Sequence, residues 1–141
     1  MRVRKHLDGF YFSTEEGGYD LDAYARWIGG DLLVSIWGGE RPHIGAVSLA
    51  QPRPSLKDPS VTSASASVIC VVGHKEDDPA KKASELLAAA LNTRVVVTAG
   101  IHWDKISEEG VRRLVQNSDA LIKFMVQKLK ESKTGLRNKK K

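Results

Sequence analysis

The chain has a single cysteine, Cys70, among its 141 residues. An internal disulfide and a cysteine-based zinc site each need at least one more thiol, so the sequence excludes both. Cys70 lies in the apolar run SVICVVG. Such a run predicts a buried thiol that behaves as a small hydrophobic side chain, without a role as a nucleophile.

Long apolar runs are also missing. No stretch approaches the roughly 20 apolar residues that a membrane-spanning helix needs. The first ten residues, MRVRKHLDGF, carry charge but lack the apolar core of a secretory signal. With 41% hydrophobic and 28% charged residues, the composition is that of an ordinary folded domain. We therefore expect a cytoplasmic protein that has no contact with a membrane.

The positive charge is confined to one end of the chain. The net charge is +5, but residues 128–141 hold seven Lys and Arg residues against one Glu, which leaves the remainder at −1. This asymmetry predicts a single domain over residues 1–132 and a basic, disordered C-terminal tail over residues 133–141. A tail of this kind can bind nucleic acid. Basic and aromatic residues do not interleave as they do on an RNA-binding sheet, which argues against nucleic acid as the main partner.

The first half of the domain has the pattern of strands. Residues 19–28 alternate between apolar and polar, Gly29-Gly30-Asp31 is a compact turn, and residues 32–37 are an apolar strand. The two strands should pair as an antiparallel hairpin. A third strand is predicted over residues 44–50. Residues 51–65 contain three prolines and little hydrophobicity, which predicts a long exposed loop.

The second half alternates strands and helices. The sequence predicts a buried strand over residues 66–73, a helix over residues 79–91 capped by Asp78, and a strand over residues 94–99, which make a β-α-β unit with a parallel crossover. Asn92 suits the left-handed position at the end of the helix. Ser107 should cap a long final helix, whose buried apolar stripe extends from Val111 through Val115 to Leu129. The fold class predicted is α+β, with a mixed, mostly antiparallel sheet of five to six strands and both helices packed on one face.

Catalytic motifs are absent from the sequence. It has no GxSxG elbow, P-loop, GxGxxG or HExxH pattern, so we predict no catalytic residue and expect a binding protein, with an enzyme of unfamiliar site as an alternative. His74 lies near Glu76, Asp77 and Asp78, but these residues lack a fixed ligand spacing. The acids are better explained by the start of the following helix, and no metal site is predicted.

The run GGERPHIG, residues 38–45, is the first candidate for ligand binding. Gly38 and Gly39 allow a close approach of the backbone and an anion-binding nest of amides. Arg41 offers a fork to phosphate, and His43 donates or accepts a hydrogen bond at neutral pH. Pro42 stiffens the turn. The alternative is a glycine-rich turn with solvated polar residues.

The run AGIHWD, residues 99–104, is the second candidate. Gly100 relaxes the backbone, His102 and Asp104 are spaced to form a hydrogen-bonded pair, and Trp103 offers a flat surface for stacking. The alternative is a strand exit at which Trp103 anchors the final helix.

Residues 38–50, GGERPHIGAVSLA, and 98–122, TAGIHWDKISEEGVRRLVQNSDALI, together resemble the prenylated-flavin chaperone (LpdD-like) domain family. Those domains are the small D subunit associated with gallate-type hydroxyarylic acid decarboxylases, and they are similar to proteasome assembly chaperones. The resemblance covers about residues 19–125. The positions that match the family pattern are Gly38, Gly39, Pro42, His43, Ile44, Gly45, Gly100, Ile101, His102 and Asn117.

The resemblance implies a non-catalytic chaperone that binds prenylated FMN or FMN, or assists maturation of a UbiD-type decarboxylase or another client. We also expect the protein to self-associate as a homo-oligomer. Arg41 and Trp103 are added to the candidate cofactor site because of their side-chain chemistry, Arg41 for phosphate and Trp103 for stacking. The rival implication is an assembly chaperone that binds a protein surface without a cofactor.

Overall fold

The computed structural model describes the backbone of residues 1–6, 9–71 and 77–138. Within these ranges, seven strands form one sheet in the order β1-β2-β3-β4-β7-β5-β6, and two helices pack against it and against each other. The elements are β1 (Arg2–His6), β2 (Gly9–Ser13), β3 (Leu21–Ile28), β4 (Asp31–Gly39), β5 (Ala46–Pro54), β6 (Thr62–Cys70), α1 (Asp77–Leu91), β7 (Val95–His102) and α2 (Glu108–Asn138).

The predicted hairpin is confirmed. β3 and β4 pair antiparallel from Ile28↔Asp31 at the turn to Leu21↔Gly38 at the far end. The side chains of Leu21, Ala23 and Ala25 are fully buried on the helix side of β3. The period of two in the sequence therefore identified the buried face, because successive strand residues point to opposite sides of a sheet.

The α+β class is confirmed, but the sheet has seven strands where the sequence predicts five to six. The additional strands come from residues 1–13, whose mixed charged and aromatic sequence is compatible with either a strand or an ordered arm. They form the hairpin β1–β2, and β2 adds to β3 with Phe12 opposite Ala23. Phe12 is fully buried and meets Phe124 of α2 edge to face at 6.1 Å, so burial of this ring attaches the strands to the core.

The prediction of a loop over residues 51–65 is wrong. β5 continues to Pro54 and β6 begins at Thr62, so only residues 55–61 connect the two strands. Pairing of β5 with β7 stops at Ala50. The hydrogen bond from Ser55 N to Val61 O shows that odd-numbered residues of β5 direct their backbone N–H and C=O groups towards β6. Pro52 and Pro54 are even-numbered, so the N–H group that each lacks would point away from β6, to the side without a partner strand. Proline is tolerated in a strand under that condition.

The prediction of a buried Cys70 is also wrong, because its thiol is exposed. The strand predicted over residues 66–73 as buried is β6, the last strand of the sheet, and most of its side chains are exposed or half-buried. An apolar run is typical of a central strand. Here it occupies an edge, where β5 and α1 are the described elements that pack against it.

The β-α-β unit is present with one strand inserted. β6 and β7 are both antiparallel to β5, so they run parallel to each other with β5 between them. α1 connects them and buries Ala80, Ala83 and Leu87 against the sheet. Asn92 ends the helix with a φ of 48°, the left-handed conformation expected of this residue at a helix end.

α2 begins as predicted, since the Ser107 hydroxyl accepts a hydrogen bond from Gly110 N at 3.0 Å. Its middle turns bury Leu121, Ile122, Met125 and Leu129. The helix continues to Asn138, so residues 133–138 are helical where the sequence predicts a tail. The division into a domain and a tail stays a prediction, and residues 139–141 lie outside the described residues. In the described part of the chain no helix is long and apolar enough to cross a membrane.

Candidate functional site

The two candidate loops meet at one edge of the sheet. β4 and β7 are parallel neighbours, and their register ends with Gly39 opposite His102. The loops that follow these strands therefore leave the sheet side by side. α1 follows β6 and α2 follows β7, so both helices also begin at this carboxyl edge. Ligands of sheets with parallel strands bind at such an edge.

Two glycines are required because the loops cross closely. A Cβ on Gly100 would overlap the carbonyl group of His43, and a Cβ on Gly39 would overlap the carbonyl of His102. Gly39 also has a φ of 87°, a conformation that favours glycine. The close approach that these glycines allow is therefore between two backbone segments of the protein itself.

Asp104 links the two loops. Its Oδ1 accepts hydrogen bonds from His102 Nε2 at 3.0 Å and from the guanidinium of Arg41. The predicted His102–Asp104 pair is present. These bonds, first from His102 and then from Arg41, hold the pKa of Asp104 below its usual value of 3.8. A carboxyl group whose pKa is lowered by folding stabilises the folded state above its unfolded pKa, and this stabilisation is lost as the pH falls through the folded pKa. Asp104 is therefore ionised near neutral pH.

The two histidines face each other across the loop crossing. Their ring centroids are 6.4 Å apart, with the rings at 73°. His43 Nδ1 donates to the carbonyl oxygen of Arg41 at 3.0 Å, so that nitrogen carries the proton. His43 and His102 are both half-buried. The structure thus brings the two predicted histidines into one site.

A shallow groove of about 390 Å³ lies beside this crossing. Its aromatic wall is Trp103, which lies 5.4 Å from the Tyr19 ring, and Trp37 and Pro42 also line it. Three carboxylates, Asp20, Asp22 and Glu40, complete the lining. None of these acids was predicted as a site residue, because Asp20 and Asp22 lie in one segment and Glu40 in another, and the fold brings the two segments together.

The acids of the groove have hydrogen-bond donors within the protein. Asp22 accepts from the hydroxyl of Tyr11, and Glu40 Oε2 accepts from Asp104 N at 2.8 Å. Burial raises the pKa of Asp20, but hydrogen bonds from Thr14 and from backbone amides of the turn outweigh it, and the pKa is lowered overall. Through these hydrogen bonds, all three carboxylates also stabilise the backbone and side chains around the groove.

Gly38 and Gly39, whose amides were predicted to form an anion-binding nest, belong to the sheet instead. Gly38 and Gly39 are the last residues of β4, and they pair with Leu21 of β3 and with His102 of β7. The next amide, Glu40 N, donates to His102 O at 2.8 Å. Gly45 is equally structural, since its amide donates to Ala99 O at 2.9 Å and its carbonyl accepts from Val71 N at 2.8 Å.

An apolar cleft of about 400 Å³ opens at the same edge, on the helix side of the sheet. Ile101, Leu114 and Val115 supply its apolar surface, between Pro79 at the start of α1 and the first turns of α2. Val115 is 54% exposed, although the sequence places it on the buried stripe of the final helix. The stripe is thus covered in the middle of α2 and open at its beginning.

Asn117, which the resemblance selects, lies away from the loop crossing. Its Nδ2 donates to the carbonyl oxygens of Gly18 and Tyr19 at 3.0 and 2.8 Å. These bonds attach α2 to the turn that precedes β3. The acidic segment weighed as a metal site lies largely outside the described residues, since His74 and Glu76 are not described. No group of three metal-binding side chains occurs in the part that is described.

Comparison with known proteins identifies relatives over most of the chain. The family model of the prenylated flavin chaperone LpdD-like domain matches residues 15–130. The chain is also 29% identical over 118 residues to Protein LpdD of Lactiplantibacillus plantarum, which covers 82% of this chain and 81% of that protein. The family match spans the two loops, the groove and the cleft.

Proposed function

Because the chain belongs to the family of prenylated flavin chaperone LpdD-like domains, we propose that it is a non-catalytic chaperone that binds prenylated FMN or FMN. The proposed client is a UbiD-type decarboxylase, whose maturation it assists. We place the ligand at the carboxyl edge of β4 and β7, and the protein in the cytoplasm, where its exposed thiol Cys70 stays reduced.

The observation that carries the proposal is the meeting of the two loops at this edge. Arg41, His43, His102 and Trp103 come from segments about 60 residues apart in the sequence, and the parallel register of β4 and β7 brings them together. The positive ends of two helix dipoles also lie at this edge, which favours an anionic group. A flavin mononucleotide carries such a group on one side and a flat apolar ring on the other.

The residues present fit the two halves of a flavin nucleotide. Arg41 is exposed and supplies the guanidinium, which suits phosphate better than a lysine does. Trp103 supplies a flat ring for stacking. The apolar cleft behind Ile101 has about 400 Å³, which is within the usual size of small-molecule sites.

The test is a titration of the purified protein with FMN and with prenylated FMN, followed by Trp fluorescence and flavin absorbance. We expect saturable binding, weakened about tenfold or more in Arg41→Ala and in His102→Ala, because a charge-assisted hydrogen bond contributes roughly 1.5–3 kcal/mol. The matched control is Arg94→Ala. Arg94 forms an exposed ion pair with Asp31 at 3.0 Å, at the opposite end of the same two strands.

Two results would contradict the flavin proposal. Absence of saturable binding of either flavin removes it altogether. Equal weakening by Arg94→Ala and Arg41→Ala places any flavin away from the carboxyl edge, or shows that binding follows general charge.

A specific observation favours a second candidate, an assembly chaperone that binds a protein surface without a cofactor. The groove beside the loop crossing is lined by Asp20, Asp22 and Glu40, and carboxylates repel phosphate while they attract basic side chains. Under this alternative the groove holds a basic segment of the client. A protein that binds no flavin but binds its client with an affinity that falls steeply with salt would support it.

The proposal includes self-association of the chaperone. The uncharged edge strand β6 is the surface that suits such self-association.

A further inference from the structure

The two edges of the sheet differ in charge. β1, at one edge, has the sequence RVRKH, with four basic or titratable residues among five. β6, at the other edge, has the sequence TSASASVIC and no charged residue in nine. Natural proteins protect edge strands with charge or proline, because an open edge pairs with other strands. β6 has neither.

We propose that β6 pairs antiparallel with β6 of a second copy of this chain. The pair forms a two-fold symmetric dimer whose sheet is continuous across both subunits. This goes beyond flavin binding and gives the proposed self-association its surface.

The backbone of β6 is oriented for such pairing. The bonds from Val71 N to Gly45 O and from Ser55 N to Val61 O lie at the two ends of the β5–β6 ladder. They show that odd-numbered residues of β6 bond towards β5. The even-numbered residues then direct their N–H and C=O groups outward; they are Thr62, Ala64, Ala66, Val68 and Cys70. No described strand lies on that outer side.

A second copy suits this edge because antiparallel pairing about a two-fold axis is self-complementary. It places each residue of one strand opposite a residue of the same sequence in the partner strand, so a strand rich in charges of one sign would bring like charges together, which destabilises a sheet. Small, uncharged side chains avoid this conflict on β6. The basic residues of β1 would create it at the other edge.

The surface beside β6 extends the interface. On the open face of the sheet, Ile69 is 75% exposed. On the helix side, a groove of about 550 Å³ lies between α1 and β6, and Leu86, 44% exposed, borders it together with Lys82 and Glu85. The two-fold axis would bring α1 near its counterpart, where a surface with both charges can match its own copy.

The size of this surface is adequate for a dimer. A strand of nine residues is about 30 Å long at roughly 3.3 Å per residue. With α1 beside it, the strip is roughly 20 Å wide, an area of the order of 600 Å² in projection. Stable interfaces bury about 800 Å² of accessible surface on each partner, and accessible surface exceeds the projected area.

The experiment measures the mass of the full-length chain over a range of concentrations by sedimentation equilibrium. We expect the wild type to be a dimer. Ile69→Lys should raise the dimer dissociation constant at least about tenfold, because a lysine on an edge strand opposes its pairing with another strand. The matched control is Leu56→Lys, since Leu56 is 89% exposed in the 55–61 loop, and it should dimerise as the wild type does.

A second variant tests the backbone directly. Ala66→Pro removes an N–H that points outward, so it should abolish dimerisation while the β5–β6 ladder persists. Ser67→Pro removes an N–H that points towards β5 and should instead lower the urea midpoint of unfolding. If Ala66→Pro fails to fold by circular dichroism, Ile69→Lys decides alone, because its side chain is exposed.

Two outcomes overturn the proposal. One is a wild-type chain that is monomeric at every concentration, which would leave β6 to a strand of another protein. The other is a dimer that persists in Ile69→Lys with an unchanged dissociation constant. Flavin titration of Ile69→Lys separates this proposal from the flavin proposal, because the carboxyl edge is unaltered in that variant and should bind flavin as the wild type does.

Discussion

Gly100 shows how a single residue can be interpreted in two ways. From the sequence, Gly100, two residues before His102, is interpreted as relaxing the backbone of a candidate ligand loop, with a strand exit as the alternative. In the structure, the carbonyl of His43 occupies the space of a Cβ at residue 100. The glycine is therefore needed for the loop crossing, and it acts on the site through the position of His43.

Substitution of Gly100 tests this role. We expect Gly100→Ala to lower the free energy of unfolding by about 1–3 kcal/mol, because the methyl group meets a backbone atom that cannot rotate away. Urea unfolding followed by Trp fluorescence measures the change. Gly30→Ala is the control, since a Cβ there meets no atom within 4 Å, and it should change the stability by less than about 0.5 kcal/mol. Equal effects of the two substitutions would refute the steric role.

Among the helices, α2 differs from expectation in its first turns. Its apolar stripe predicts burial from Val111 to Leu129, but Val111 and Val115 remain 45% and 54% exposed. The helix is held at this end by a polar contact. Asn117, only 9% exposed, donates to two carbonyl oxygens of the turn before β3. One of these belongs to Tyr19, whose φ of 56° is unusual for a residue other than glycine.

Removal of this contact should loosen the beginning of α2. We expect Asn117→Ala to cost about 1–3 kcal/mol in the free energy of unfolding, because two carbonyl oxygens lose their donor. Gln116→Ala, on the exposed side of the same turn, should be nearly neutral. Thermal unfolding by circular dichroism compares the two. A small effect of Asn117→Ala on stability, with a large one on flavin binding, would assign Asn117 to the ligand site instead.

At the scale of the whole molecule, the end of α2 contacts both α1 and β3 through one side chain. Lys133 Nζ donates to the carbonyl oxygen of Leu91, at the end of α1, at 2.5 Å. The same ammonium lies 5.6 Å from the centroid of the Trp27 ring of β3, within the range of a cation–π interaction. Residue 133 is thus the first residue of the predicted tail and also a contact with α1 and β3.

Truncation distinguishes the two roles of this segment. A chain ending at residue 132 should be less stable by about 1–2 kcal/mol than one ending at residue 138, because it loses a hydrogen bond from a charged group and the cation–π contact. A chain ending at residue 138 should match the full length. Urea unfolding of the three chains checks this. Equal stability of all three would show that residues 133–138 contribute nothing to the folded domain.

The elements of the fold follow largely from the sequence, because helix and strand periods and their caps are local properties. The β3–β4 hairpin, the Ser107 cap and the left-handed Asn92 were all predicted and confirmed. The candidate residues at the carboxyl edge were likewise selected from the sequence. Their contribution to ligand binding stays a prediction.

What only the tertiary structure decided is which strands are neighbours. Pro52 and Pro54 fit within β5 because β7 ends its pairing at Ala50, and Cys70 is exposed because β6 lies at the edge. The carboxylates around Trp103 meet for the same reason. An apolar or proline-containing segment has the same local pattern at an edge as in the centre of a sheet, so its environment depends on contacts between residues far apart in the chain.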